Sequence, residues 1–160
     1  MDKIKFIQAL ENNSIFDIQS IPKSDLHSHA GRGGNPPYIE NMLNVKMDRL
    51  TEPLTSLSEM QEWFNNNVKI HFPDKNGYIQ RVAAAFAQAK TDNISVLALS
   101  YGIDEVYWLG GINIFIAVMN VLHNAFAPET NFLPDLTLYG NVDLTKLDEV
   151  FIQTGSRALI

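Results

Sequence analysis

The sequence predicts an α/β fold, with a parallel sheet built from strands that helices separate. Three observations carry this. Ile94–Tyr101 is a continuous apolar run of strand length, the pattern of a strand covered on both faces, as parallel strands usually are. The segments on either side of it, Tyr78–Lys90 and Ile112–Phe126, repeat their apolar residues at helical spacing. Shorter alternating runs at 24–30 and 132–139 complete the order strand, helices, strand, helix, strand, helix. Strands separated by helices pair in parallel through crossover connections.

Composition sets the bounds. With 160 residues, 46% of them hydrophobic and 19% charged, the chain is long enough for a single domain with its own core. A net charge of −6 argues against a nucleic-acid backbone or an anionic membrane surface as partner. There are no cysteines, so a disulfide framework and a thiolate metal site are both excluded. Any metal must be held by nitrogen and oxygen. Met1-Asp2-Lys3-Ile4-Lys5 runs into a mixed pattern with no extended apolar region, unlike a secretory signal. Ile112–Phe126 is too short to cross a bilayer and is interrupted by Asn113, Asn120, His123 and Asn124. A cytoplasmic location is the expectation.

The elements follow in order. Ile4, Ile7 and Leu10 predict a short amphipathic helix over residues 2–12, ended by Asn12-Asn13. Phe16, Ile18 and Ile21 alternate up to Pro22 and predict an extended lead-in. A strand over Ser24–Ala30 puts Asp25, His27 and His29 on one face and Leu26, Ser28 and Ala30 on the other. Gly31-Arg32-Gly33-Gly34 is a loop. Asn35 before Pro36-Pro37 has the form of an N-cap followed by proline at the first helical position, for a helix reaching about Val45. Residues 46–58, with Pro53, form a loop.

Met60, Trp63, Phe64 and Val68 predict a helix from Glu59 to about Ile70, capped by Ser56 or Ser58. His71–Gly77 is a turn and Tyr78–Lys90 a clearer helix, with Ile79, Val82, Ala83 and Phe86 on one face; Asp92-Asn93 closes it. After the strand Ile94–Tyr101, residues 103–111 are a loop ending in Gly110-Gly111. The helix Ile112–Phe126 has Phe115, Met119, Leu122 and Phe126 on its apolar side, and the strand Phe132–Tyr139 follows. Leu144–Phe151 begins a last helix. No repeat or low-complexity tract is present.

The chemistry concentrates in Ser24-Asp25-Leu26-His27-Ser28-His29-Ala30. On a strand, residues i and i+2 point to the same side, roughly 6.5–7 Å apart along the backbone. Two imidazoles there can converge on one metal ion. Functional groups of parallel α/β proteins gather at the carboxyl ends of strands, and His27 and His29 end the first one. Asp25 is expected to make a structural hydrogen bond. Arg32, among glycines, suits a substrate loop, an anion nest or a plain turn. His71 and His123 are surface or packing residues, and Asp104-Glu105 a solvated loop. Trp63, Phe64, Phe86 and Phe115 belong to the core.

The run Ile21-Pro22-Lys23-Ser24-Asp25-Leu26-His27-Ser28-His29 resembles the first-strand signature Pro-Lys-x-Asp/Glu-Leu-His-x-His of the adenosine deaminase branch of the metal-dependent amidohydrolase superfamily. The preceding helix, the glycine-containing loop and the proline-started helix repeat the family's order. The resemblance implies a partial (β/α)8 TIM barrel, about the first three strands with their helices. It also implies a divalent metal, most often zinc, with His27 and His29 as ligands. The metal would activate water for attack on a purine carbon, with loss of ammonia.

In the family a third histidine, an aspartate and a His-x-x-Glu glutamate come from later strands. No His-x-x-Glu occurs in this chain, and a closed barrel takes roughly 200–250 residues or more. The expectation is therefore a single domain over 1–160, the N-terminal part of a longer hydrolase, inactive alone. Ala30-Gly31-Arg32 stands where the adenosine enzymes have Leu-Asp-Gly, so the resemblance names a purine nucleoside, purine base or related amine rather than adenosine. In a barrel, Val96, Ala98 and Ser100 would face inward and leave Leu97, Leu99 and Tyr101 to the helices. Ser100, Tyr139 and Asn141 are then candidates for the pocket mouth. Two other readings stand beside this one. A phosphoesterase of the histidinol-phosphatase-like (PHP) type also opens with Asp-x-His-x-His. A non-catalytic, barrel-derived binding or scaffold module would self-associate through open barrel edges.

Overall fold

The computed structural model describes residues 3–32, 36–138, 140 and 143–154. Its chain order is α1 (Lys3–Glu11), α2 (Ile15–Ser20), β1 (Lys23–His29), α3 (Pro36–Leu43), α4 (Leu57–Asn67), α5 (Lys75–Thr91), β2 (Ile94–Gly102), α6 (Ile103–Leu109), α7 (Ile112–Phe126), β3 (Asn131–Thr137) and α8 (Leu144–Thr154). The three strands form one sheet in the order β1-β2-β3, and both pairings are parallel. The α/β class and the parallel pairing are as the sequence predicts.

Several helix starts are written in the sequence as caps. Ser56 accepts the Glu59 amide at 3.1 Å and opens α4 two residues before the expected start. Asp74 accepts the Gly77 amide at 2.8 Å, so α5 begins at Lys75, not Tyr78. The end of α3 falls at Leu43, with Asn44 in the left-handed region at φ 52°. Asn35, its expected cap, lies outside the described residues, as do Gly33, Gly34, Tyr139 and Asn141.

Two segments differ in kind from the expectation. The lead-in is the helix α2, started by Ser14, whose hydroxyl accepts the Asp17 amide at 3.3 Å. Its carbonyl end is closed by Lys23, whose Nζ donates to the carbonyls of Ile18 at 2.7 Å and Ile21 at 2.9 Å. A lysine at a helix C-terminus meets both the unpaired carbonyls and the negative end of the dipole. Residues 103–109 are likewise the helix α6, not a loop. Glu105 folds back to accept the Gly102 amide at 2.8 Å, and Ile103, Val106 and Leu109 bury one side. α6 and α7 meet at 90° across Gly110-Gly111, where both glycines have positive φ. Among the described residues no single helix is long and apolar enough to cross a membrane.

The main core lies between one face of the sheet and α5 and α7. Leu97, Leu99 and Tyr101 of β2 pack there against Tyr78, Val82 and Phe86 of α5 and Ile112, Phe115 and Met119 of α7. His123 serves this packing. Its Nε2 bonds the Thr130 carbonyl at 2.7 Å, and its ring lies 5.5 Å from that of Phe132. A second cluster of Ile39, Met47, Val68, Phe72 and Ala84 sits under α3 and α4, with Trp63 and Phe64 against it. α5 serves both clusters and is buried on most of its circumference. The opposite face of the sheet is open: Leu26 is 68% and Leu133 40% exposed.

Candidate functional site

β1 is tied down at its start and departs from regular register twice, between Lys23 and Ser24 and between Asp25 and Ser28. Lys23 ties it to α2, and the Lys23 amide donates to the Asn93 carbonyl at 3.2 Å. Asp25 then pairs with Leu97, but Ser28 pairs with Leu99, so β1 spends one extra residue between them. Such a bulge reverses the side-chain alternation. Within it the His27 amide donates to Asp25 Oδ1 at 3.2 Å, a local bond that competes with the sheet ladder. Asp25 therefore makes the expected structural hydrogen bond. It does not share a face with His29, as strict alternation requires: it pairs with Leu97 on the helix side, whereas His29 pairs with Ser100 on the open side.

The bulge still brings the two imidazoles together. Their ring centroids are 5.0 Å apart and the rings are nearly perpendicular, at 79°. Both histidines are exposed. Partial desolvation of its ring pulls the His29 pKa below the ordinary value, with Arg32 and His27 adding repulsion, while Glu105 and Asp135 oppose them. A neutral imidazole is the form that ligates metal. A tetrahedral ion with nitrogen ligands at about 2.0–2.1 Å holds two imidazole centroids about 5 Å apart, and an edge-to-face ring pair has the same spacing, so the separation allows a shared ion without requiring one. The donor set is two nitrogens. Among the described residues no group of three or more histidine, aspartate or glutamate side chains is placed to hold a metal.

A cavity of about 360 Å³ opens beside His29 at the carboxyl ends of the strands. His29, Ser100, Gly102 and Thr137 supply its strand-end wall, and Arg32, Phe64, Lys69, Arg81 and Glu105 enclose it from loops and helices. Ser100 stands where the sequence puts it, 2% exposed, its hydroxyl 2.6 Å from that of Thr137. Of the residues expected at the site, His27, His29 and Ser100 fall at one end of the sheet. Tyr139 and Asn141 lie outside the described residues.

Several residues here had no part in the sequence reading. Arg81 is 3% exposed, donates to the Gly31 carbonyl, and lies 5.6 Å from the Phe64 ring centroid and 5.4 Å from that of Tyr78. Glu105 is half-buried rather than solvated, and with Arg81 it lines a second cavity of about 340 Å³ toward Trp108. The hydroxyls of Tyr78 and Tyr101 are buried without hydrogen-bond partners; burial, then the Glu105 charge, pushes both phenols well above their ordinary range. Gly31 lies close under two of these side chains. A Cβ there would sit 2.6 Å from Glu105 Oε1 and 3.2 Å from the Tyr78 ring. The one sequence signal for Arg81 is a charged residue immediately before the apolar, alanine-rich run Val82–Phe86.

Comparison with protein families and with curated proteins finds no match to this chain.

Proposed function

We propose that this chain is the metal-bearing N-terminal portion of a metal-dependent deaminase of the amidohydrolase type. In this reading β1–β3 are the first three strands of a (β/α)8 barrel whose open sheet face becomes the barrel interior. The observation that carries it is the imidazole pair, with centroids 5.0 Å apart, at the carboxyl end of the first strand of a parallel sheet. The adjoining cavity supports it, since parallel α/β proteins place their chemistry at that end.

His27 and His29 would hold the metal, and zinc suits the nitrogen donors. The metal supplies Lewis acidity and a water nucleophile near neutral pH. Desolvation of its ring, then the Arg32 and His27 charges, lower the His29 pKa, which favours the neutral form that a metal binds. The hydroxyls of Ser100 and Thr137 offer donors and acceptors to a substrate in the cavity. The third protein ligand and the acid–base group of such a reaction belong to later strands in this reading, and the substrate is a small purine-type amine. Ammonia release from adenosine and other aminopurines, measured on the protein expressed from the full reading frame, tests it. The expected result is release that a chelator abolishes. No ammonia from any aminopurine, in a folded and metal-loaded protein, would overturn it.

A further inference from the structure

The strand-end cavity is lined by three permanent cations, Arg32, Lys69 and Arg81, against a single carboxylate, Glu105. The carboxylate is engaged elsewhere: its Oε2 accepts the Gly102 amide at 2.8 Å and caps α6. Arg32 and Lys69 are exposed at the rim and are ordinary surface cations taken alone. Arg81 is different. It is 3% exposed, its Nε has no hydrogen-bond partner, and no carboxylate lies within ion-pair distance of it among the described residues. One carbonyl and two aromatic faces hold it in place, and none of these neutralises a charge. Buried cations are normally paired. Glu105 attracts this cation from beyond ion-pair distance; a buried cation with no ion pair, an unused donor and adjoining space together describe a site for an anion.

We propose that this cavity binds the anionic group of a small-molecule ligand, a phosphate monoester or a carboxylate, with Arg81 as the buried anchor and Arg32 and Lys69 at the rim. The guanidinium fork suits either group, because two parallel N–H donors match two oxygens of a phosphate or carboxylate. The hydroxyl pair of Ser100 and Thr137 on the same wall can donate to further oxygens. The site stands on its own residues and does not depend on a metal at His27 and His29. Because His29 lines the same cavity, an anion held there would sit beside the imidazole pair. If both sites serve one reaction, the substrate is an anionic amine rather than a neutral nucleoside.

The test is titration of the purified chain with inorganic phosphate and, separately, with acetate. Binding is followed by calorimetry, with sodium chloride holding the ionic strength constant. Saturable binding of one or both is expected. Phosphate alone identifies phosphate monoesters as the ligand class, and acetate alone identifies carboxylates. Lys69→Ala and Arg32→Ala, both at exposed positions, should each weaken binding about tenfold, and Arg81→Gln should abolish it. Far-ultraviolet circular dichroism of each variant establishes that it is folded. Absence of saturable binding of either anion to the folded chain would overturn the proposal, as would equal affinity in the folded Lys69→Ala and Arg32→Ala variants. Neither result bears on the metal reading, which is measured separately.

Discussion

Arg81→Met asks whether a buried charge is kept for structure or for binding. The wild-type guanidinium makes one charge-assisted hydrogen bond to the Gly31 carbonyl and lies over two aromatic rings at 5.6 and 5.4 Å. A hydrogen bond to a charged group is worth ~1.5–3 kcal/mol, and each desolvated cation–aromatic contact ~0.5–2 kcal/mol. Against these stands the cost of taking a full charge out of water to 3% exposure, which is several kcal/mol without a counter-ion. The opposing contributions nearly cancel. Methionine fills most of the same volume with no charge to desolvate. Arg81→Met should therefore change stability by less than about 2 kcal/mol in either direction, read from urea unfolding midpoints at constant slope. It should also remove the thermal stabilisation that phosphate or acetate gives the wild type. A loss of more than about 3 kcal/mol would refute the reasoning, because that is the penalty for breaking a satisfied buried pair.

Three further outcomes follow from the same structure. Phe86→Ala, at a fully buried position against Phe132 and His123, should cost about 3–5 kcal/mol in urea unfolding, a large share of the stability of a domain this size. The imidazole of His29 should titrate below 6.5, because burial and then the Arg32 and His27 charges oppose protonation; nuclear magnetic resonance of its ring protons against pH measures this. The carboxylate of Glu40 is held below 4.5 chiefly by the Met47 amide, and that of Glu59 by the Thr55 amide and hydroxyl. For both, the folded pKa lies under the unfolded one. Their contribution is thus complete above pH 4.5 and is lost as pH falls through the folded value, so the thermal midpoint should drop on acidification across that window.

Long periodic elements are legible in kind and place, although α4 and α5 begin two and three residues early, at their caps. The bounds of α7 are those its apolar spacing predicts, β1 is shifted by one residue at each end, and β2 runs one residue further. The two missed helices, α2 and α6, have six and seven residues. Fewer than two turns give a 3.6-residue period nothing to repeat, and the available signal is the cap: Ser14 before α2, and Gly102 with Glu105 before α6. The faces of β1 were misjudged because a bulge leaves no mark in a polarity pattern.

At the candidate site, His29, singled out by its spacing from His27, and Ser100, singled out by its place at a strand end, pair in the sheet. Arg81 escaped because its partner, the Gly31 carbonyl, lies fifty residues away along the chain. Only the packing of α5 against the loop after β1 brings the two together. The Pro22-Lys23 pair has a structural meaning that the motif alone does not disclose, since Lys23 caps α2 and fixes where β1 begins.

The most direct measurement is zinc binding by the purified chain, read by competition with a chromophoric chelator, for the wild type and for the His27→Ala/His29→Ala variant. Imidazoles 5.0 Å apart predict one weakly held equivalent in the wild type and its loss in the variant. Equal zinc affinity in both proteins would remove His27 and His29 as ligands, and with them the metal-dependent reading.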